Sequence, residues 1–350
     1  MISNVISPLD SLYQGNWFKL ICGASYQHLP SIRNLALVYT LAGADCIDVA
    51  ADKAVIYSAL EGINVAQNFP NQALALGYKT HQHPFLMVSI NDGEDPHFRK
   101  ALFNPNQCLQ ECSRPCETIC PAEAIKFDRI DSGVIEELCY GCGRCIPICP
   151  IEIIKTESKI VPTVEVLPWL KELPIDAIEI HTQEGHWERF QELWQQVKPY
   201  FSQLKLIAIS CPYTPTVTDY LKQIYQYITP IDLNLIWQTD GRPMSGDIGS
   251  GTTHLTIKYA QQVKQLKMQG FIQLAGGTNE YTVPKLHSLN LIPDTVAGIA
   301  YGSKARKLIA DTLHQLESIG SHNQLEVYPD LLWQGVQQAQ QLIAPLKVKS

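Results

Sequence analysis

Short apolar runs alternate with longer segments of helical apolar spacing along most of the chain. Phe18-Lys19-Leu20-Ile21-Cys22 reads as a buried strand, residues 30–42 as a helix, and Cys46-Ile47-Asp48-Val49-Ala50 as a second strand. Asp52 is placed to cap the next helix, which runs through Ala54, Ile56 and Leu60 to about Phe69. Residues 84–90 form a third strand. The alternation stops at about residue 93 and resumes with strands at 175–181, 204–210, 232–238, 271–275 and 296–300. Helices are expected at 187–197, 216–228, 252–268, 283–289 and 305–316. Strands alternating with helices make a parallel sheet with right-handed crossovers. Three such strands before the gap and five after it predict an α/β fold of TIM type, a (β/α)8 barrel carrying an inserted module after its third strand. An open, doubly wound sheet is the alternative. The expected organisation is barrel over 16–92, inserted module over 93–160, barrel again over 161–320, and a C-terminal helical extension over 321–350.

Composition narrows the setting. Hydrophobic residues make up 45% and charged residues 17%, which supports a sizeable core and excludes a disordered chain. The net charge of −7 leaves no electrostatic footprint for nucleic acid or an anionic membrane surface. No apolar run reaches the roughly 18–20 residues of a membrane span, and residues 1–13 do not read as a secretory leader. A cytoplasmic location follows as an expectation. Thiols stay reduced there, so eleven cysteines call for metal rather than disulfides.

Eight of those cysteines fall in two runs. The second, Cys139-Tyr140-Gly141-Cys142-Gly143-Arg144-Cys145-Ile146-Pro147-Ile148-Cys149-Pro150, has the C-x2-C-x2-C-x3-C-P spacing of a cubane-binding segment. Three closely spaced thiolates wrap one cluster, and the fourth, turned away at the proline, reaches a neighbouring one. Gly141 and Gly143 let the backbone approach the sulfurs. The first run is Cys108-x3-Cys112-x3-Cys116-x3-Cys120-Pro121, and its tail repeats the second: Cys120-Pro-Ala-Glu-Ala-Ile125 against Cys149-Pro-Ile-Glu-Ile-Ile154. Structural zinc sites use cysteine pairs separated by a longer loop, a poor match to two runs of four. Cys22, Cys46 and Cys211 lie on or beside expected strands and read as small apolar core residues.

Over about fifty residues this segment resembles the bacterial two-cluster ferredoxins. The resemblance implies that Cys139, Cys142 and Cys145 hold one 4Fe-4S cluster together with Cys120. Cys108, Cys112 and Cys116 would hold the other together with Cys149. The first run departs from that family in its first two gaps, which have three residues rather than two. Its cluster is left open between a full cubane, a 3Fe-4S form and a cubane of shifted potential.

The barrel supplies further candidates at the C-terminal ends of its strands, where barrel enzymes place their sites. The seventh strand ends in Ala275-Gly276-Gly277-Thr278-Asn279 and the eighth in Ala300-Tyr301-Gly302-Ser303-Lys304-Ala305-Arg306. Gly276, Gly277 and Gly302 would expose backbone N–H groups, with Ser303 and Lys304 or Arg306 as further donors. This resembles the phosphate grip of flavin-binding barrels and makes FMN, or another small phosphate-bearing ligand, a candidate. Tight turns alone explain the glycines equally well. The long loop after the sixth strand, Trp237 through Asp240, Gly241 and Arg242 to Gly249, offers Asp240 and Arg242 to a ligand, unless they pair with each other. Asp48, Asn91, His181 and Asn279 also fall at strand ends, and His181 is the histidine placed for acid–base work. No nucleophile elbow or Walker loop appears.

The order of segments as a whole resembles the cyanobacterial light-dependent period family. The residues that carry it are the Val38–Ala50 segment, both cysteine runs, the loop from Trp237 to Gly249, and the GGTN and YGSKAR stretches at 276–279 and 301–306. The resemblance implies an iron–sulfur protein that feeds cellular redox state, and so light intensity, into the circadian clock in association with clock-related complexes. Three readings share the clusters. One is a redox sensor, one an oxidoreductase using the clusters as an electron relay to a flavin or substrate, and one a plain electron carrier serving a redox partner. Whether the chain is an enzyme stays open.

Overall fold

The computed structural model describes residues 7–78, 83–93, 98–120, 122–127, 132–158, 163–241, 253–320 and 323–347. In chain order its strands are β1 (Trp17–Gly23), β2 (Cys46–Ala50), β3 (Phe85–Asn91), β4 (Arg99–Leu102), β5 (Ile125–Lys126) and β6 (Gly133–Val134). They continue as β7 (Lys155–Ser158), β8 (Ala177–His181), β9 (Leu206–Pro212), β10 (Asn234–Asp240), β11 (Phe271–Ala275) and β12 (Gly298–Tyr301). Eight of them, β1, β2, β3 and β8 to β12, close into a parallel barrel, and β12 pairs back onto β1. The TIM-type expectation therefore holds over the open sheet. β3 pairs directly with β8, Asn91 opposite His181, so the segment between them leaves the barrel without interrupting it. The antiparallel pair β4–β7, with Arg99 opposite Ser158, ties the two ends of that segment together as a neck.

Strand period sets the layers. Outward-facing Leu20, Ile47, Leu86, Val88, Ile178, Ile207, Leu274 and Ile299 pack under the surrounding helices in one continuous core. The inward-facing set at the N-terminal end is apolar too: Trp17, Cys46, Phe85, Met87, Ala177, Leu206 and Ile236 fill the barrel floor. The helix Pro8–Tyr13 closes that floor with Leu12, and a reciprocal capping box between Ser7 and Asp10 starts it. This plug was not apparent in the apolar pattern, because six residues carry too little periodicity to register.

Asp52 caps the helix Lys53–Ala66, its carboxylate accepting from the backbone N–H of Ala54 at 2.8 Å and of Val55 at 3.2 Å. That helix lies against Leu29–Ala42 at Gly62, where a Cβ would stand 2.1 Å from the Arg33 carbonyl oxygen. The helix expected over 305–316 is two pieces, Ser303–Leu308 and Ala310–Ile319, broken at Ile309. The first piece holds Arg306 against β1, a tertiary demand that apolar spacing does not encode. The helix Pro329–Lys347 packs across Leu29–Ala42, and its Lys347 forms an ion pair with the buried Asp45. Among the described residues no helix is long and apolar enough to cross a membrane.

Candidate iron–sulfur site and barrel interior

The cysteine segment folds around two short helices, Pro115–Ile119 and Cys145–Ile148, which pack on each other and end at Cys120 and Cys149 in extended backbone. Cys120, Cys139, Cys142 and Cys145 line one pocket, together with Ala124, Ile125, Gly141 and Gly143. Both glycines are left-handed, with φ of 69° and 74°, a conformation that turns the intervening chain inward without a Cβ penalty. Backbone N–H groups are aimed at sulfur: Ala101 donates to Cys139 Sγ at 3.4 Å, Ala124 to Cys120 Sγ at 3.3 Å, and Arg114 to Cys112 Sγ at 3.4 Å. Such bonds favour the charged thiolate.

The thiols crowd one another electrostatically. Burial pushes Cys145 up to about 12, and Cys142, Cys139 and Cys120 add to the rise. Burial likewise raises Cys142, against the pull of the Arg144 N–H. In the other set burial raises Cys108, with Cys112 and Cys149 contributing, and burial raises Cys116, which also feels Cys149 and Cys108. Cys149 is the exception. Burial opposes its ionisation, but the backbone N–H groups of Ile151, Ile153, Ile154 and Glu152 outweigh it and draw the thiol below its ordinary value. Thiols forced together in this way are stable as thiolates only around a cationic group. Among the described residues no three histidine, cysteine or carboxylate side chains close on a single-ion site. A tetrahedral zinc would need sulfurs about 3.8 Å apart, from its Zn–S distance of about 2.3 Å. Four cysteines in each of two runs, with backbone N–H groups aimed at sulfur, are a donor set that fits an iron–sulfur cluster.

Each set has two buried and two partly buried cysteines, and exposed Leu109, Ile119 and Ile148 adjoin Cys108, Cys120 and Cys149 in sequence. The second set backs onto the barrel. Tyr140, between Cys139 and Cys142, lies under the Arg306 guanidinium at 4.0 Å and meets the Tyr26 ring edge-on at 6.0 Å. Arg306 Nη1 donates to the carbonyls of Ile21 at 2.7 Å and Cys22 at 2.9 Å, and Nη2 donates to Ser303 Oγ at 3.2 Å. Gly23, with φ of 125°, takes a backbone conformation that favours glycine, and a Cβ there would stand 3.2 Å from Tyr26 Cβ. Buried Lys100 of β4 completes the seam, donating to Gln27 Oε1 and to the Glu136 carbonyl, both at 2.7 Å.

The other expected site residues fall as follows. Asp240, Gly276, Gly277, Gly302 and Ser303 sit together at the C-terminal ends of β10, β11 and β12. Gly276 and Gly277 are left-handed, at φ 60° and 92°, and Gly302 is not. Arg306 is turned onto β1 and Tyr140, and Lys304 pairs with Glu280 at 2.9 Å. Arg242 and the loop to Gly249 lie outside the described residues. Cys22, Cys46 and Cys211 are buried core residues.

Sequence reasoning named Asp48 and His181 at strand ends but missed Lys19 and Glu179, which meet them in the upper barrel interior. Lys19 of β1 is fully buried, paired with Glu179 of β8 and with Asp48 of β2 at 3.4 Å. Ser89 Oγ donates to Asp48 at 2.7 Å, Gln238 Nε2 to Glu179 at 2.6 Å, and His181 Nε2 lies 2.9 Å from the same carboxylate. Gln238 also reaches Ser210 at 3.0 Å, and Trp17 Nε1 donates to Gln273 at 2.6 Å. Phe98 covers His181 edge-on at 5.2 Å. Burial would discharge Lys19, but Glu179 and Asp48 hold its pKa above the ordinary lysine value. Burial would also raise Glu179, yet Lys19 and His181 bring it down to about 2. Asp48 is the group left unsettled: burial, helped by Glu179, lifts it to about 6 despite Lys19. A charge at an inward position of an apolar strand was the signal available, at Lys19 in FKLIC and Glu179 in AIEIH.

Residues 108–160 match the family model of the LdpA Fe-S cluster-binding domain, and residues 169–345 match that of the light dependent period A C-terminal domain. The chain is 49% identical over 344 residues to light dependent period A of Synechococcus elongatus, covering 97% of this chain and 94% of that protein. The cysteine segment alone is similar to two further proteins. One is an uncharacterized ferredoxin of Methanocaldococcus jannaschii, 36% identical over 55 residues, which are 16% of this chain and 33% of that one. The other is a protein NrfC homolog of Haemophilus influenzae, 34% identical over 65 residues, 17% of this chain and 28% of that one.

Proposed function

We propose a function from one premise: the chain belongs to the light dependent period A family. It is an iron–sulfur protein by that membership. Our reading is that it senses redox state. Two clusters, each able to take up and release an electron, would follow the electron supply and so the light input, and the barrel would pass their state to clock-related protein partners. The observation that carries this reading is the seating of the second cysteine set on the barrel through Tyr140 and Arg306.

In this reading Cys139, Cys142, Cys145 and Cys120 hold the second cluster, and Cys108, Cys112, Cys116 and Cys149 the first. Both are read as 4Fe-4S. The N–H groups of Ala101, Ala124 and Arg114 hold charge on the sulfurs. Exposed Leu109, Ile119 and Ile148 offer the module an apolar surface for a redox partner. Reduced thiols of this kind suit the cytoplasm.

A second reading, an oxidoreductase, draws support from the left-handed Gly276 and Gly277 above a charged barrel interior. There Gly276, Gly277, Gly302, Ser303 and Asp240 would receive FMN or another phosphate-bearing ligand, and the clusters would relay electrons to it.

Anaerobic purification with iron, sulfide and flavin analysis separates these. Iron near eight per chain without flavin supports the sensor. The same iron with flavin, lost on replacing Gly277 with Val, supports the oxidoreductase. Zinc in place of iron under strict anaerobiosis would remove both.

A further inference from the structure

Barrel interiors of this type are ordinarily filled by bulky branched apolar residues. Here the floor obeys that rule and the layer above it does not. Lys19, Asp48, Glu179 and His181 stand in one contact group, each side chain no more than 6% exposed. Apolar residues of similar volume would serve stability as well or better, because burying ions costs more than their attraction returns in most cases.

Two carboxylates meet one ammonium and one imidazole in this group. A proton taken up by Asp48 removes one negative charge from it. The groups facing Asp48 are Lys19 on β1, Cys46 on its own strand, Ser89 on β3, and Glu179 and His181 on β8. Burial lifts Asp48 to about 6, so its proton is exchangeable near neutral pH.

β1 links this group to the seam with the second cysteine set. From Lys19, β1 runs two residues, about 6.6 Å, to Ile21. The carbonyls of Ile21 and Cys22 are held by Arg306, whose guanidinium lies on Tyr140 between Cys139 and Cys142. Charges in such an interior are poorly screened.

We infer that the Lys19–Asp48–Glu179–His181 group is a proton-binding site linked to the second cluster, in which the Asp48 carboxylate takes up a proton when that cluster gains an electron. The balance is one electron from a one-electron donor protein to the cluster, and one proton from water to the Asp48 carboxylate, giving a carboxylic acid. Oxidation reverses both. The inference rests on the iron–sulfur reading and adds to it that the barrel takes part in the redox event.

The test is an anaerobic redox titration of the full, cluster-loaded chain from pH 5 to 8, using viologen mediators and following each cluster by electron paramagnetic resonance. One of the two potentials is expected to fall as pH rises through the Asp48 range and to level off above it. Asp48→Asn should flatten that dependence and leave the other potential alone. Ser89→Ala, which removes a hydrogen bond that favours the carboxylate, should move the window to higher pH while leaving Asp48 in place. A reduced-minus-oxidised infrared spectrum should show a protonated-carboxyl band that Asp48→Asn abolishes. Potentials independent of pH in the wild-type chain, or a slope unchanged in both variants, would overturn the inference and leave the iron–sulfur reading standing. Failure to load iron would instead overturn that reading.

Discussion

The barrel interior and the cysteine module both press ionisable groups into a small space, and they settle the charge differently. In the barrel, Lys19 stands between Glu179 and Asp48, so the counter-ion is built into the chain. In the module, eight thiols crowd one another, and their relief comes from backbone N–H groups and from Arg114 and Arg144, which lower Cys108 and Cys142 without overcoming burial. The barrel carries its own neutralising charge. The module needs one brought from outside.

The largest effect that follows is a split response to iron removal. Chelation without oxygen should unfold residues 108–158 and leave the barrel folded, because the module has a small apolar cluster of its own and depends on metal for the rest. Hydrogen exchange would read this as loss of protection confined to the module. Cooperative loss of both regions would break the comparison.

Next in size is the reverse experiment. Lys19→Met leaves two buried carboxylates without their cation and should cost the barrel about 3–5 kcal/mol in urea denaturation, the range for breaking a buried pair. Iron content should not change. The double variant with Glu179→Gln should recover much of the loss.

Arg306→Met touches the seam between the two regions. It removes a cation–π contact and hydrogen bonds to two carbonyls, and should lower stability by about 1–2 kcal/mol. Its distinguishing readout is the spectrum of the cluster proposed at the second cysteine set, which should shift while that of any cluster at the first set does not.

The smallest effect separates the two buried carboxylates by pH. Glu179 is held below its unfolded value, so its stabilisation is present above about 4.5 and is lost as pH falls through about 2. Asp48 is held above its unfolded value, so its stabilisation is present below 3.8 and is lost as pH rises through about 6. Moving from pH 7 to pH 5 should therefore stabilise the barrel through Asp48. Asp48→Asn should erase that gain, measured as the urea midpoint at the two pH values, whereas Glu179→Gln should lower stability at both.

Much of this architecture was legible in the residues. Buried parallel strands are apolar runs bounded by turns, so β1, β2, β3 and β8 to β12 lie within two residues of where the pattern puts them. The helix Trp187–Val197 agrees at both ends, its apolar face being regular. The cysteine runs announce themselves, because cluster binding constrains spacing along the chain. Short elements were not legible: the plug Pro8–Tyr13, the helix Pro70–Ala75 and the break at Ile309 have too few residues to show a period.

Local order, spacing and repeat thus determined the barrel, the insertion after its third strand and the iron–sulfur character of that insertion. Tertiary structure decided which groups meet. Arg306 is a basic residue after a glycine turn until the closing of β12 onto β1 brings it to Ile21, Cys22 and Tyr140. Lys19 and Glu179 stand 160 residues apart and become an ion pair only because the barrel turns both inward at one level. Periodicity is a property of neighbours in sequence, and these contacts belong to neighbours in space.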